Sequence, residues 1–130
     1  TVSYDDPQWI ERVRQLTDGL GVDVVFEQVG GALLPAAVRS LRKQGRLVSY
    51  GASGGLSVAF EDWQFVYRNE FRILGATSCT REDVRQVLAR VCVGELRAVV
   101  ESRFPLVEAS RAHQLLESRA HFGKVVLVPQ

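Results

Sequence analysis

The chain has 130 residues, 46% hydrophobic, 24% charged and 8% aromatic, with 16 basic side chains against 15 acidic. At this length one domain burying roughly two-thirds of its unfolded surface is the default, and the composition speaks against disorder, a collagen-like chain or a disulfide-stapled scaffold. A formal net charge of +1 leaves no electrostatic footprint for nucleic acid or an anionic membrane, and no apolar run approaches the ~20 residues of a bilayer span. No signal-peptide pattern opens the chain. Methionine is absent even from position 1, which reads as the mark of a segment cut from a longer chain.

Taken in chain order, the pattern alternates helix and strand. Asp6-Pro7 reads as an N-cap followed by proline in the first helical position, with Trp9, Ile10, Val13 and Leu16 on the buried face. Gly19 and Gly21 end that helix. The run Val22-Asp23-Val24-Val25-Phe26 is β-branched and nearly continuous in hydrophobicity, as expected of a parallel strand buried on both faces. Gly30-Gly31 breaks it. A second helix carries Leu33, Leu34, Ala37, Val38 and Leu41 inward, with Arg39, Arg42 and Lys43 near its C-terminal end, where they complement the dipole. Gly45 fits a left-handed cap after it, and Arg46 to Tyr50 form the next strand. Residues 22–50 therefore make one β-α-β unit with an expected right-handed crossover.

Beyond the loop at 51–55, residues 56–60 are ambiguous and 62–68 read as a short helix. Phe71-Arg72-Ile73-Leu74-Gly75-Ala76 is a further strand, hydrophobic and expected at a sheet edge. Thr80 with Asp83 three places on is a capping-box variant, and Val84, Val87, Leu88 and Val91 form the stripe expected to be buried in that helix. Gly94 stops it. A strand near 98–104, a helix near 108–119 with Ala112, Leu115 and Leu116 inward, and a strand at 124–128 complete the chain. The class is α/β with a mostly parallel sheet.

Little in these residues supplies acid-base or metal chemistry. Cys79 and Cys92 lie thirteen positions apart without a Cys-x-x-Cys pair, and His113 and His121 suggest no ligand cluster, so no zinc site is expected. Two reduced cysteines favour a cytoplasmic location. The pairs Asp5/Asp6 and Glu61/Asp62 read as caps or solvated turns, and Trp9 and Trp63 as packing residues. The loop Gly51-Ala52-Ser53-Gly54-Gly55 matches neither Gly-x-Gly-x-x-Gly nor a Walker loop, and no Gly-x-Ser-x-Gly elbow is present. No residue is assigned as catalytic. Ligands of open α/β sheets bind beyond the carboxyl ends of the strands. Here those ends are Gln28 to Gly31, Tyr50 to Ser53 and Ala76 to Ser78. Their small residues serve equally for turning the chain and for admitting a ligand to the backbone.

The segments Gly21-Val22-Asp23-Val24-Val25-Phe26-Glu27-Gln28-Val29-Gly30-Gly31 and Leu41-Arg42-Lys43-Gln44-Gly45-Arg46-Leu47-Val48-Ser49-Tyr50-Gly51, with Phe104-Pro105-Leu106, Ala112-His113 and Gly123-Lys124-Val125-Val126-Leu127 downstream, resemble the medium-chain dehydrogenase/reductase superfamily. The order and spacing match along nearly the whole chain. Within the superfamily they are similar to the branch of quinone oxidoreductases and zinc-type alcohol dehydrogenases. Tyr50 to Gly55 and the helix start at Thr80 lean toward the quinone reductases.

The resemblance implies a partial Rossmann-type sheet flanked by helices, with a C-terminal strand-helix-strand segment. Residues 1–78 would be the second part of a dinucleotide-binding domain, and residues 79–130 the segment that completes the catalytic domain of the family. It further implies hydride transfer between NAD(P), NADPH first, and a small-molecule quinone, enone, aldehyde or alcohol. The residues it places along the cofactor are Val29 and Gly30, then Tyr50, Gly51 and Ala52, then Ala76, Thr77 and Ser78, with Lys124 near the phosphates. Glu27 stands where the family often has aspartate. Homodimerisation through the strand at 71–76 is the implied assembly, because an edge strand leaves unpaired backbone groups to be covered. Without the glycine-rich pyrophosphate loop, weak or undetectable NADPH affinity is expected of this chain alone. The rival reading is a free-standing, non-catalytic module that keeps the fold for assembly.

Overall fold

The computed structural model describes residues 1–129, and within them the chain separates into two compact units, Thr1–Ser78 and Cys79–Gln130. The first unit begins with α1 (Trp9–Gln15). Its N-cap is Gln8, so the helix starts later than Asp6-Pro7 suggests. Asp6 instead closes the preceding turn, accepting from the Gln8 N–H at 2.9 Å, and pairs with Arg12 at 2.6 Å. Leu16, expected inward, is 74% exposed, because it lies past the last helical residue.

Three strands follow, β1 (Val22–Glu27), β2 (Leu41–Ser49) and β3 (Arg72–Gly75), joined in the order β1-β2-β3 with both pairings parallel. Between β1 and β2 lies α2 (Leu33–Val38), and between β2 and β3 lies α3 (Trp63–Arg68). Asp62 caps α3 by accepting from the Phe65 N–H at 2.9 Å. The sheet register aligns Val25 with Leu47 and Leu47 with Ile73 across the strands, and Phe26 with Val48 and Val48 with Leu74. Since side chains alternate faces along a strand, these two rows belong to opposite faces.

The first row is buried at Leu47 and open at the edge strand, where Ile73 is 40% exposed. Leu47 is fully buried and joins Leu34, Ala37, Val38 and Leu41 in the core, with Trp9, Val22, Val25, Phe60, Phe65 and Phe71 packed against them. In the other row Phe26 is 73% exposed and Leu74 is 47% exposed. The expectation that the Val22-to-Phe26 strand is buried on both faces is therefore not met. Helix α2 and the Phe60–Phe65 neighbourhood cover one face, and nothing comparable covers Phe26. A buried leucine such as Leu47 is the costliest kind of side chain to truncate here, ~2–5 kcal/mol for removal to alanine.

The second helix also differs from its expected length. It ends at Val38 with Arg39 as C-cap, and Leu41, Arg42 and Lys43 belong to β2. The register of β2 slips between Val22 and Val24, where Leu41 and then Arg46 are their partners, so residues 42–45 bulge. The left-handed residue in that bulge is Gln44 (φ 63°), not Gly45. Gln44 is held by donating its N–H to the Asn69 carbonyl at 2.8 Å and its side-chain amide to Glu70 at 2.8 Å. Those bonds offset the strain of a non-glycine in that region, which local spacing alone places on glycine.

The second unit comprises α4 (Arg81–Cys92), β4 (Val100–Pro105), a 3-10 turn (Leu106–Glu108), α5 (Ala109–Glu117) and β5 (Lys124–Val128). β4 and β5 form a parallel pair. Ala112 of α5 is buried, whereas Leu116, expected inward, is 42% exposed. The capping box of α4 is present in full: Thr80 Oγ1 accepts from the Asp83 N–H at 3.1 Å, and Asp83 accepts from the Thr80 N–H at 2.8 Å. The stripe of Val84, Val87, Leu88 and Val91 is exposed rather than buried. Periodicity places apolar side chains on one helical face but does not supply the surface that covers it. No helix among the described residues is long and apolar enough to cross a membrane.

Candidate functional site

The carboxyl ends of the three parallel strands of the first unit gather most of the residues singled out from the sequence. A cleft of about 350 Å³ is lined by Ser49, Tyr50, Gly51, Ala52, Gly75, Ala76 and Thr77. The parallel pairing of β2 with β3 brings the two loops together, since Ser49 lies opposite Gly75 and its carbonyl accepts the Ala76 N–H at 2.9 Å. Apart from Tyr50, the lining residues are small, which opens the peptide backbone to a ligand. A Cβ added at Gly51 would stand 2.8 Å from the Gln28 carbonyl oxygen, so only glycine fits there. Among the described residues, the amides of Gly51, Ala52 and Thr77 donate no backbone hydrogen bond, and no charged side chain lines this cleft.

Val29 and Gly30 adjoin this region through the neighbouring loop. The Gly54 N–H donates to the Val29 carbonyl at 2.6 Å, Gly31 donates to the Gly55 carbonyl at 2.9 Å, and Gly30 forms a parallel bridge with Gly55. Gly30 has φ 71°, and a Cβ on it would meet the Gly55 carbonyl oxygen at 2.6 Å. Val29 and Tyr50 also line a second cavity of about 360 Å³ with Trp9, Val25 and Leu33. Ser78 does not line the first cleft. It closes the first unit in a left-handed conformation with φ 57°. Lys124 belongs to the second unit, where its N–H donates to the Val99 carbonyl at 2.8 Å as β5 begins.

One residue at this site escaped the sequence reasoning. Glu27, the last residue of β1, is only 4% exposed. One carboxylate oxygen accepts the N–H groups of Val29 at 2.6 Å and of Gly30 at 2.9 Å. The other is buried with no partner among the described residues. A carboxylate closing a β-branched run just before Gly-Gly was the available signal, because an acidic side chain there can reach the amides two and three residues on.

A further cavity, about 400 Å³, lies between α2 and α3 and is lined by Pro35, Arg39, Phe60, Asp62 and Phe65 among others. It is larger than the strand-end cleft but holds none of the sequence-derived site residues. Arg39 stacks over the Phe65 ring at 5.4 Å, and Asp62 is occupied in capping α3. The carboxylates held below their ordinary range also lie elsewhere: Glu70, through hydrogen bonds from Gln44 and Lys43, Glu82, through Arg85 and Gln86, and Asp83, through Thr80. Among the described residues, no three His, Cys, Asp or Glu side chains gather as a metal-ligand set, so the residues present do not fit a zinc centre.

For a nicotinamide dinucleotide the fit is partial. A cleft without charged side chains, with amides that donate no backbone bond, suits the carboxamide group of a nicotinamide ring. It offers nothing to balance phosphate charge.

Residues 1–127 match the family described as zinc-binding dehydrogenase. The 2-haloacrylate reductase of a Burkholderia species is 30% identical over all of this chain and 42% of its own length. Among solved structures, an NAD-dependent alcohol dehydrogenase superposes with TM-score 0.85 at 35% identity, over 98% of this chain and 37% of its own. The Escherichia coli quinone oxidoreductase complexed with NADPH superposes with TM-score 0.74 at 26% identity, over 98% of this chain and 42% of its own. The chain thus spans about two-fifths of the length of the curated relatives it matches.

Proposed function

The chain belongs to the zinc-binding dehydrogenase family, and from that membership we propose that it is the C-terminal part of an NAD(P)-dependent oxidoreductase whose substrate is a quinone, enone, aldehyde or alcohol. The observation that carries this reading is the cleft of Tyr50, Gly51, Ala52, Ala76 and Thr77 at the carboxyl ends of β2 and β3, the position where open α/β sheets bind ligands. The cofactor, when bound, supplies or accepts a hydride at its nicotinamide ring. The share of this chain is to hold that ring. Gly51, Ala52 and Thr77 offer backbone amides to the carboxamide, Tyr50 flanks it, and Val29 and Gly30 support the adjoining loop. NADPH is the proposed dinucleotide, and Lys124 is proposed as a phosphate contact.

Residues 1–78 are proposed as the later part of the dinucleotide-binding domain, and residues 79–130 as the segment that completes the catalytic domain. The edge position of β3 supports a homodimer through that strand, because its outer backbone groups need a partner.

Affinity for free NADPH should be weak in this chain, since the cleft carries no charge to hold the phosphates. The test is an amide-resolved NMR titration with NADPH and with NADH into the millimolar range. The expected result is a progressive shift of the Tyr50, Gly51, Ala52, Ala76 and Thr77 amides, with submillimolar calorimetric binding absent. Titrations that leave those five amides unmoved would overturn the reading, and tight calorimetric binding would overturn the account of the phosphates.

A further inference from the structure

We infer that Glu27 is a positioning residue, a latch whose carboxylate couples two strand-end loops into one rigid wall beside the cleft; as a statement about cofactor binding this rests on the function proposed above. Three observations carry it. Glu27 is a nearly fully buried carboxyl side chain, and a buried polar group of this kind costs free energy unless specific hydrogen bonds hold it. Its single bonded oxygen receives both the Val29 and Gly30 amides, the two positions at which the chain leaves β1 and turns into the left-handed region at Gly30 and Gly31 (φ 71° and 53°).

The loop so held is stitched to its neighbour. Gly30 bridges Gly55, Gly31 donates to the Gly55 carbonyl, and Gly54 donates to the Val29 carbonyl. The main chain of Glu27 closes the other side, its carbonyl accepting the Tyr50 N–H at 3.0 Å. One side chain thus ties Val29 and Gly30 directly, and Gly31 and residues 51–55 at one remove. Tyr50, Gly51 and Ala52 form the cleft wall at the base of that second loop.

Removing the carboxylate leaves two amides without their acceptor, and the loss should travel past them. Amide hydrogen exchange on the full chain reads this residue by residue. In Glu27→Ala, exchange at Val29 and Gly30 should rise by about fivefold or more, the ratio that loss of one hydrogen bond of about 1 kcal/mol gives. The coupling requires more: Gly31 and Gly54, which Glu27 does not touch, should also exchange several-fold faster. Leu47 and Val48 in β2 should not change. Glu27→Gln keeps an oxygen in reach of both amides and should return all four glycine and valine amides to near the parent rate.

If Gly31 and Gly54 exchange at the parent rate in Glu27→Ala while Val29 and Gly30 do not, the carboxylate is only a local cap and the latch is refuted. If Leu47 and Val48 accelerate with the rest, the effect is general loss of stability; Glu27→Gln then decides, and its failure to restore Gly31 and Gly54 also refutes the latch. A parallel NADPH titration separates the two levels. Cleft amides unmoved in the parent chain would sink the cofactor reading and leave the latch standing, whereas cleft shifts equal in parent and Glu27→Ala would remove the latch from cofactor binding.

Discussion

Replacing Gly30 with alanine should cost the first unit clearly more than the same replacement at Gly19. Both glycines occupy the left-handed region, at φ 71° and 81°. An L-residue there costs ~1–2 kcal/mol, and the stiffening of the unfolded chain that accompanies Gly→Ala is the same for both. The surroundings differ. At Gly19 a Cβ meets nothing within 4 Å, whereas at Gly30 it would stand 2.6 Å from the Gly55 carbonyl oxygen and 3.0 Å from the Ala52 Cα. Those are backbone atoms of a neighbouring loop, so relief requires moving that loop, and with it the Gly31 N–H bond to the Gly55 carbonyl. A lost hydrogen bond of this kind adds about 1 kcal/mol.

Gly30→Ala should therefore exceed Gly19→Ala by at least ~1 kcal/mol, which is of order 1 M in urea midpoint at the slope of a small unit. Urea unfolding followed by tryptophan fluorescence is the assay, because Trp9 and Trp63 both lie in the first unit and report on it alone. Equal midpoints for the two variants would refute the close approach of the 28–31 and 51–55 loops. The candidate site would then lose the contact that joins its two halves.

The capping box of α4 gives a pH dependence with a definite sign. Hydrogen bonds from the Thr80 hydroxyl and then the Thr80 backbone hold Asp83 below its ordinary 3.8, so its contribution is present above that value and is lost as pH falls through the lower folded value. Circular dichroism at acid pH should show helix loss in the parent chain that is already partly present at neutral pH in Thr80→Ala; an α4 indifferent to both would remove the box as its anchor. For assembly, light scattering at high concentration should give twice the protomer mass if copies pair through β3, and a monomer throughout would refute that pairing.

Much of the lining of the candidate cleft was legible in the residues themselves. Glycines and alanines at the ends of Val-rich runs mark where a parallel sheet turns, and such ends are where ligands sit, so Tyr50 to Ala52 and Ala76 to Thr77 could be named before any coordinates. Glu27 could not be weighed the same way. Its importance lies in two backbone amides that come into reach only when the chain folds back at Gly30.

The local sequence determined the alternation of strand and helix and the Thr80–Asp83 capping box, each of which depends on hydrogen bonds or side-chain spacing within a few residues. Tertiary structure decided what local spacing cannot hold. It ended the second helix at Val38, paired Leu41 with Val22 of β1 and let residues 42–45 bulge before the ladder resumes at Arg46. It moved the left-handed turn to Gln44, where Asn69 and Glu70 hold it. It also buried Leu47 while leaving Phe26 exposed on the opposite face, and left the α4 stripe exposed. An apolar pattern states which side chains can be buried together. Which of them are depends on the neighbouring element that arrives to cover them.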